Sequence, residues 1–540
     1  MKDRGINSRL DRRHLFLSTI FITLTFFTAG CGSGGEGPNP GLSAQAVTTT
    51  LGELQVGSVA SIPLGGGVSE IRFDKLTGRE KFILVASSAN QGAGSFPFEL
   101  QGSQTLPIPS SPDPLLTDHQ AMRSAAEGDP TVQFHEFLRD LERSLPAGEE
   151  NAPSKSMESV WKEASVGERV SLKVLNRLNS SESYTPITAE VRYVTPHFVV
   201  FMDTASLNTL SDSDLRSLID PFEARVEEEY STFGAVSDTD QNGKVAIVFS
   251  PVLNGMGGSG GVVTGFFFSG DLYPDRFAAS NGGEYIYCHV PDEAGQWGVA
   301  VPKAFYLSNT GPLCFPHELQ HAIHFNQKVF VAGGAPDPPP FNEGLSHLAE
   351  DIFTGFAKTS AENPSRVNLY LTAGLPSFTG GISLAERGGA YLFFRYLFEQ
   401  GDLKRFPAVE NGRALIRRIL GTKQNGFDAV EEATQDQTAS LLSDFFSAIY
   451  LSNTGLNEDP RFNFRGISLR GPQNDNRSTV LAGPPVTGIQ GFPVSESVFA
   501  VSARYKEITG EMLLQSGSAL KLAMDPNSVP GAMLIRIEDE

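Results

Sequence analysis

The residues most suited to catalysis lie in the short segment from Pro316 to His321, which reads PHELQH. In a helix, His317 and His321 project from the same face, because residues four positions apart lie about one turn above each other. Both imidazoles can therefore reach one zinc ion, and Glu318 stands beside them to accept a proton from water. The sequence predicts His317 and His321 as zinc ligands and Glu318 as the catalytic base.

A second helix, rich in carboxylates, follows a Gly/Pro-rich break at residues 333–340. Glu343 and Glu350 are separated by about 10.5 Å along its axis, so only one of them can bind the same ion. Glu343 lies in the first turn of this helix, and we predict it as the third ligand. Glu350, Asp351 and His347 are then candidates to hydrogen-bond a ligand imidazole.

Three protein ligands leave a fourth position open, which is typical of a catalytic rather than a structural zinc site. Zinc with an adjacent glutamate indicates hydrolysis of peptide bonds, with proteins or peptides as substrates. A metzincin would have glycine at position 324 and histidine at position 327. This chain has His324 and Gln327 there, which favours a zincin with a glutamate ligand and leaves His324 as a core residue.

Several further segments accompany the two helices in a fixed order. They are Phe233-Gly234 before SDTDQNGK, Phe249-Ser250-Pro251, GFFFSGDLYP, HELQHAIHF, FNEGLSHLAED and AIYLSNTG. Over about residues 185 to 455 the chain thereby resembles the hyicolysin-type zinc metallopeptidases, which belong with the thermolysin-like zincins. The resemblance implies extracellular proteolysis, with His317, His321 and Glu343 on zinc and catalysis by the glutamate of HExxH. It also implies an α+β zincin domain with a mixed sheet, an active-site helix and a helical C-terminal half.

One position departs from that resemblance. Related zincins often carry a tyrosine just before the glycine that here is Gly388, whereas this chain has Glu386 and Arg387. The sequence therefore does not identify the group that stabilises the oxyanion, and Tyr391, His347 and Arg387 are the candidates.

Two other functions remain as alternatives to a zinc endopeptidase. The first is a surface-binding lipoprotein that keeps the zincin fold without turnover, which the absent tyrosine leaves open. The second is a zinc hydrolase that acts on amides other than peptides. The intact HELQH segment argues against the first alternative.

The N-terminus has the pattern of an export signal. A basic region precedes an uncharged run from Leu15 to Gly30, which ends at Cys31 and is too short to span a bilayer. Residues 1–31 are therefore predicted to be a signal peptide with a lipobox, and residues 32–45 a tether behind a lipidated Cys31. We expect a lipoprotein of the bacterial cell envelope, with simple secretion as the alternative. The twin arginines at positions 12 and 13 leave open which export route is used.

The rest of the chain divides by its patterns of apolar residues. Short alternating runs near both ends predict small β domains, and helices dominate after Pro316. The predicted order is a β domain (46–102), a linker (103–130), a helix and strands leading into the catalytic unit (131–184), the zinc metallopeptidase domain (185–455) and a C-terminal β domain (456–540).

Composition limits the possible partners. The formal charge of −20 argues against nucleic acid and anionic lipid, so contact with a membrane is expected only through a lipid anchor. The chain has three cysteines, too few for a zinc site built from thiolates alone. If lipidation uses Cys31, Cys288 and Cys314 are left in an oxidising compartment. We predict a disulfide between them, with two buried thiols as the alternative.

A second metal is indicated by the loop DTDQNGK at positions 238–244. Asp238, Asp240 and Asn242 supply oxygen atoms at positions 1, 3 and 5 of the loop, as a calcium loop requires. Position 12 is Phe249, so the bidentate glutamate of an EF-hand is absent. Calcium binding and a plain polar turn before a strand remain equally open.

Overall fold

The computed structural model describes residues 46–103, 129–146, 161, 163–258, 260–354, 362–473 and 478–539. The predicted signal peptide with Cys31, the 32–45 tether and most of the 103–130 linker lie outside these ranges. Across the described ranges, no helix combines the length and the apolar character needed to cross a bilayer.

The strands, in chain order, are β1 (Val47–Leu51), β2 (Val59–Ser61), β3 (Val68–Phe73), β4 (Glu80–Ser88), β5 (Ser95–Gly102), β6 (Arg169–Leu175), β7 (Tyr184–Val194), β8 (Phe198–Asp203), β9 (Val245–Phe249), β10 (Gly265–Phe267), β11 (Tyr285–Cys288), β12 (Arg470–Pro472), β13 (Val480–Ala482), β14 (Thr487–Gly488), β15 (Val494–Phe499), β16 (Ser502–Thr509), β17 (Ala519–Met524) and β18 (Pro530–Asp539). The α-helices are α1 (Pro130–Ser144), α2 (Asp212–Glu223), α3 (Val226–Phe233), α4 (Val252–Met256), α5 (Lys303–Phe305), α6 (Gly311–Phe325), α7 (Pro339–Phe353), α8 (Asn363–Thr372), α9 (Leu384–Asp402), α10 (Gly412–Leu420), α11 (Gly426–Thr434), α12 (Thr438–Leu451) and α13 (Gly510–Gln515). Helices follow one another from α5 to α12, which confirms the predicted α+β class with a helical C-terminal half.

A six-stranded mixed sheet supports the predicted catalytic region. Its order is β10-β11-β9-β8-β7-β6, and β9 runs parallel to both of its neighbours. All five residues of β9 are buried, as expected for a strand whose two faces are both covered. Strand β10 is antiparallel to β11 and forms the edge of the sheet.

The two ends of the described chain build one β-sandwich. One sheet has the order β1-β3-β17-β5-β15 and the other β14-β16-β4-β18-β2, so each contains strands from both ends. The sequence predicts two separate small β domains, and the structure instead interleaves their strands. Alternation predicts a strand and its buried face, but it does not indicate a partner that lies hundreds of residues away.

Strand β4 joins the sandwich to the catalytic unit. Successive side chains of a strand point to opposite faces. Phe82, Leu84 and Ala86 accordingly enter the core between the two five-stranded sheets, whereas Ile83 and Val85 enter the core of the catalytic unit. The sandwich is thus packed directly on the domain that carries the predicted zinc site.

Helix α6 carries the HExxH segment and begins earlier than the pattern predicts. The sequence places the start at Pro316, a residue that disfavours a helix interior. In the structure the helix begins at Gly311 and continues through Pro316. Helix α7 lies beside α6 and against α9, where a Cβ on Gly344 would come within 3.0 Å of Ala390. Glycine at that position lets α9 approach the residue next to Glu343.

Candidate metal centre and active site

The three predicted zinc ligands lie together in the structure. His317 and His321 project from α6, and Glu343 faces them from the first turns of α7. His317 Nε2 lies 3.5 Å from Glu343 Oε2, and His321 Nε2 lies 3.6 Å from Glu343 Oε1. One donor atom from each residue lies within 4.8 Å of the other two. A single ion at this position could be reached by all three side chains.

The protonation states of His321 and Glu343 suit a metal. Burial would lower the pKa of His317, but the adjacent carboxylates of Glu343 and Glu350 raise it to about 9, so this imidazole must release a proton when a metal binds. Burial lowers the pKa of His321 well below its usual value, which leaves the imidazole neutral. Burial would raise the pKa of Glu343, but the nearby charge of Arg387 holds it well below the usual range. Neither oxygen of Glu343 meets a donor in hydrogen-bond geometry among the described residues, although Oε2 forms an ion pair with Arg387 Nη1 at 3.0 Å. An imidazole and a carboxylate that are both deprotonated fit zinc, which requires that form of each ligand.

Each ligand histidine is oriented through its other ring nitrogen. His317 Nδ1 lies 3.1 Å from Glu350 Oε1, and His321 Nδ1 lies 3.0 Å from Asn342 Oδ1. An oxygen acceptor at Nδ1 places the proton there and leaves Nε2 with a lone pair. The role of Asn342 is not predicted from the sequence, although its position next to Glu343 could have indicated that it lies in the site.

Glu350 also binds two other groups. Its Oε1 lies 2.7 Å from His347 Nδ1, and its Oε2 lies 3.3 Å from Arg366 Nη1. Burial would raise the pKa of Glu350, but Arg366 and His347 hold it well below the usual range. His317, His347 and Glu350 form a second group of possible metal ligands, and it shares His317 with the first.

Asp351 belongs to a different network. It accepts hydrogen bonds from Tyr391 Oη, from Arg395 Nη1 at 2.8 Å and from Asn363 Nδ2 at 3.1 Å. These contacts hold α7 to α8 and α9. Of the three residues predicted to support a ligand imidazole, Glu350 and His347 lie beside His317, whereas Asp351 does not take that place. Tyr391 is bound to Asp351 and is not among the residues that line the cavity.

Glu318 opens onto a cavity of about 240 Å³ next to the predicted ligands. Its Oε2 has no hydrogen-bond partner among the described residues. Burial raises the pKa of Glu318 to about 7. Arg387 lines the same cavity, with Nη1 3.0 Å from Glu343 Oε2 and Nε donating to Ile382 O. A carboxylate with a pKa near neutrality is suited to accept and return a proton.

Helix α1 brings a face of polar side chains to the same centre. His135 Nδ1 lies 3.8 Å from Glu343 Oε1, and Asn342 Nδ2 donates to Glu142 Oε2 at 3.3 Å. Arg139, between them on this face, lies 3.0 Å from Glu142 Oε1 and is 1% exposed. No role in the site is predicted for this helix from the sequence. The spacing of these residues, one turn apart along the helix, could have indicated it.

The structure joins Cys288 and Cys314 in a disulfide, with their Cα atoms 6.4 Å apart. This bond connects β11 to the start of α6. A Cβ on Gly265 of the edge strand would lie 2.9 Å from Tyr287 O and 3.1 Å from Glu318 Cγ. Glycine there allows β10, β11 and α6 to come together behind Glu318.

Only two of the three residues predicted to bind calcium lie together in one acidic group. Asp238 and Asp240 lie together, and the third acidic residue beside them is Glu284 at the start of β11. Asn242 Oδ1 instead accepts a hydrogen bond from the Lys244 backbone N–H at 2.7 Å.

The buried His324 contacts Asp337 at 2.9 Å, as expected for a core histidine.

Comparison with known proteins gives one informative similarity. The chain is 22% identical over 338 residues to the neutral metalloprotease ShpI of Staphylococcus hyicus. The similar region covers 60% of this chain and 66% of that protein, which is just under two thirds of its length. No family model matches the sequence. At this level of identity the similarity supports a relationship to metalloproteases in general.

Proposed function

We propose that the chain is a zinc-dependent endopeptidase, exported and held in the cell envelope as a lipoprotein or secreted. The observation that carries the proposal is the convergence of His317, His321 and Glu343 beside the free carboxylate oxygen of Glu318. The distant similarity to a metalloprotease supports the same reading. Export rests on the sequence pattern that ends at Cys31.

Zinc bound by these residues would supply a Lewis acid that acidifies water and polarises a substrate carbonyl. Glu318 would accept the proton of the attacking water and pass it to the leaving amine, which needs a group that changes protonation near neutral pH. Its raised pKa, about 7, suits both steps. Glu350 and Asn342 would keep the two imidazoles in the tautomer that binds the metal.

Arg387 is the best placed of the three candidates for stabilising the oxyanion. Its guanidinium lines the cavity beside Glu343, and donation from Nε to Ile382 O fixes its direction. His347 lines the cavity as well, but burial lowers its pKa to about 3, so it carries no positive charge at neutral pH. Tyr391 is held by Asp351. A fixed cation at the place where negative charge develops is the arrangement that this step requires.

Proteolysis can be tested with casein and a peptide library on the full exported chain, with and without a zinc chelator. We expect cleavage that the chelator stops and that added zinc restores. Glu318→Gln should lower kcat/KM by a factor of about 10² or more while bound zinc stays unchanged, because the proton acceptor is lost but no ligand is. Glu53→Gln, an exposed position in the sandwich, is the matched control.

The outcomes separate the alternatives. Full turnover by Glu318→Gln would contradict the mechanism. A chain that binds one zinc but cleaves neither casein nor the library would favour a binding protein. Cleavage restricted to small amide substrates outside the peptide library would favour a hydrolase of non-peptide amides.

A further inference from the structure

A group of carboxylates lies about the loop that precedes β9. Asp238, Asp240 and Glu284 each place one carboxylate oxygen within 4.8 Å of the other two. Asp240 and Glu284 are 1% and 2% exposed. Glu284 directly precedes β11, whereas the two aspartates lie in the loop before β9, so the group joins two segments of the chain.

The loop itself is ordered by its own side chains. Asp238 Oδ1 accepts from the Gly243 backbone N–H at 3.0 Å, and Asp240 Oδ1 accepts from the Asn242 backbone N–H at 3.3 Å. Asn242 also donates from Nδ2 to Asp240 Oδ2. These bonds use part of the hydrogen-bonding capacity of the two aspartates and shape the loop, but they bring no positive charge.

Glu284 supplies the observation that points to a ligand. Its Oε1 accepts from the backbone N–H and the hydroxyl of Thr239, both at 2.9 Å. Its Oε2 is buried and meets no donor in hydrogen-bond geometry among the described residues. Burial raises the pKa of Glu284, and the Ser237 hydroxyl beside it opposes that rise without making a hydrogen bond of its own. A buried carboxylate oxygen without a partner carries a large free-energy cost unless a cation or a donor reaches it.

No arginine or lysine of the described ranges forms a salt bridge with Asp238 or Glu284. The nearby Lys244 ammonium is instead directed to the carbonyl oxygens of Thr195 and Pro196. Gly283 also makes room for the group, because a Cβ there would lie 2.7 Å from Asp240 Oδ2.

We infer that Asp238, Asp240 and Glu284 bind a calcium ion that ties the loop before β9 to the start of β11. The donor set is made of carboxylate oxygens alone, which suits a hard cation and not zinc, since zinc sites are built mainly from imidazole and thiolate. Three carboxylates near one point repel one another until a divalent cation is present. The ion therefore stabilises the sheet that supports the catalytic region, and it takes no part in hydrolysis.

Thermal unfolding of the full chain in the Glu318→Gln background tests this inference, because that background avoids self-digestion. Zinc is kept saturating, and calcium is raised to millimolar concentrations. Binding to the folded state alone should raise the melting temperature by about 2–6 °C at a calcium concentration 100 times the Kd. Isothermal titration should give one site per chain. Glu284→Gln should abolish both responses, and it should raise the melting temperature of the calcium-free protein because one repelling charge is gone.

Asp74→Asn is the matched control, since it removes an exposed carboxylate in the sandwich. It should leave the calcium response unchanged. An absent calcium response in the parent protein would overturn the inference, as would an equal response in Glu284→Gln. An equal shift with magnesium at the same concentration would overturn the assignment to calcium. None of these outcomes depends on proteolysis, so failure of the proposed function would be seen separately.

Discussion

The geometry around the two histidines predicts a graded loss of zinc affinity when Glu343, Glu350 and Asn342 are each replaced by alanine. Glu343→Ala removes one of three protein ligands, and the variant should not retain stoichiometric zinc. Glu350→Ala removes the carboxylate 3.1 Å from His317 Nδ1 and leaves the three ligands in place. Loss of such a supporting carboxylate costs about 10 to 100-fold in affinity, or about 1.4–2.7 kcal/mol.

Asn342→Ala completes the series. Its amide oxygen accepts at 3.0 Å from His321 Nδ1, so the lost hydrogen bond is one between neutral groups. A neutral hydrogen bond contributes about 0.5–1.5 kcal/mol, which corresponds to about 2 to 13-fold in affinity. The expected order of zinc affinity is the parent protein, then Asn342→Ala, then Glu350→Ala, with Glu343→Ala last.

Competition with a fluorescent chelator measures these affinities, and metal analysis after gel filtration measures the amount retained. Glu350→Ala also leaves Arg366 without its carboxylate partner, which lowers stability. Glu350→Gln keeps an acceptor of similar size, and it should bind zinc more tightly than Glu350→Ala. Thermal melts of the metal-free proteins show whether each variant is folded. If Glu343→Ala kept its zinc and Glu350→Ala lost it, Glu350 would be the ligand and the centre would be the one it forms with His317 and His347.

Two further predictions concern the stability of the catalytic unit. Alkylation of the unfolded, unreduced protein should find no free thiol at Cys288 or Cys314, and two alkylated thiols would contradict the pairing. Reduction should lower the free energy of unfolding by about 3 kcal/mol, because the bond closes a loop between residues 26 positions apart. Burial raises the pKa of Asp271 to about 7. Between about pH 4 and 7 the Asp271 carboxyl is therefore protonated in the folded protein but ionised in the unfolded chain, so the free energy of unfolding should fall as pH rises through this range. Asp271→Asn removes that contribution, so the stability of the parent relative to the variant should decline by up to about 4 kcal/mol over that range in denaturant titrations; parallel pH curves would refute it.

The chemistry of the centre is accessible from sequence because it is local. Two histidines one turn apart and a carboxylate at the start of the next helix can be recognised without knowing the fold. Strand β9 is equally accessible, since five consecutive apolar residues predict a strand buried on both faces.

The residues that the sequence does not reveal are those brought in by distant segments. Glu142 of α1 contacts Asn342 across 200 positions, and Glu284 contacts Thr239 across 45. A polar residue within a helix or at the start of a strand has the same local pattern whether it faces solvent or a buried centre. Local patterns predict that a strand or helix exists, whereas its neighbours are determined by packing of the whole chain.

The interleaved sandwich has a consequence for how the chain acquires its fold during synthesis. Strand β18 lies between β4 and β2, and Ser87 and Gly531 of the adjoining strands are 444 positions apart. At about 5–20 residues per second, the ribosome needs roughly 20–90 s to make the residues between them. During that time the apolar strands near the N-terminus therefore lack their final strand partners. Unpaired strand edges of this kind are open to non-native pairing. Loss of the ten residues of β18 would leave β2 without a partner among the described strands.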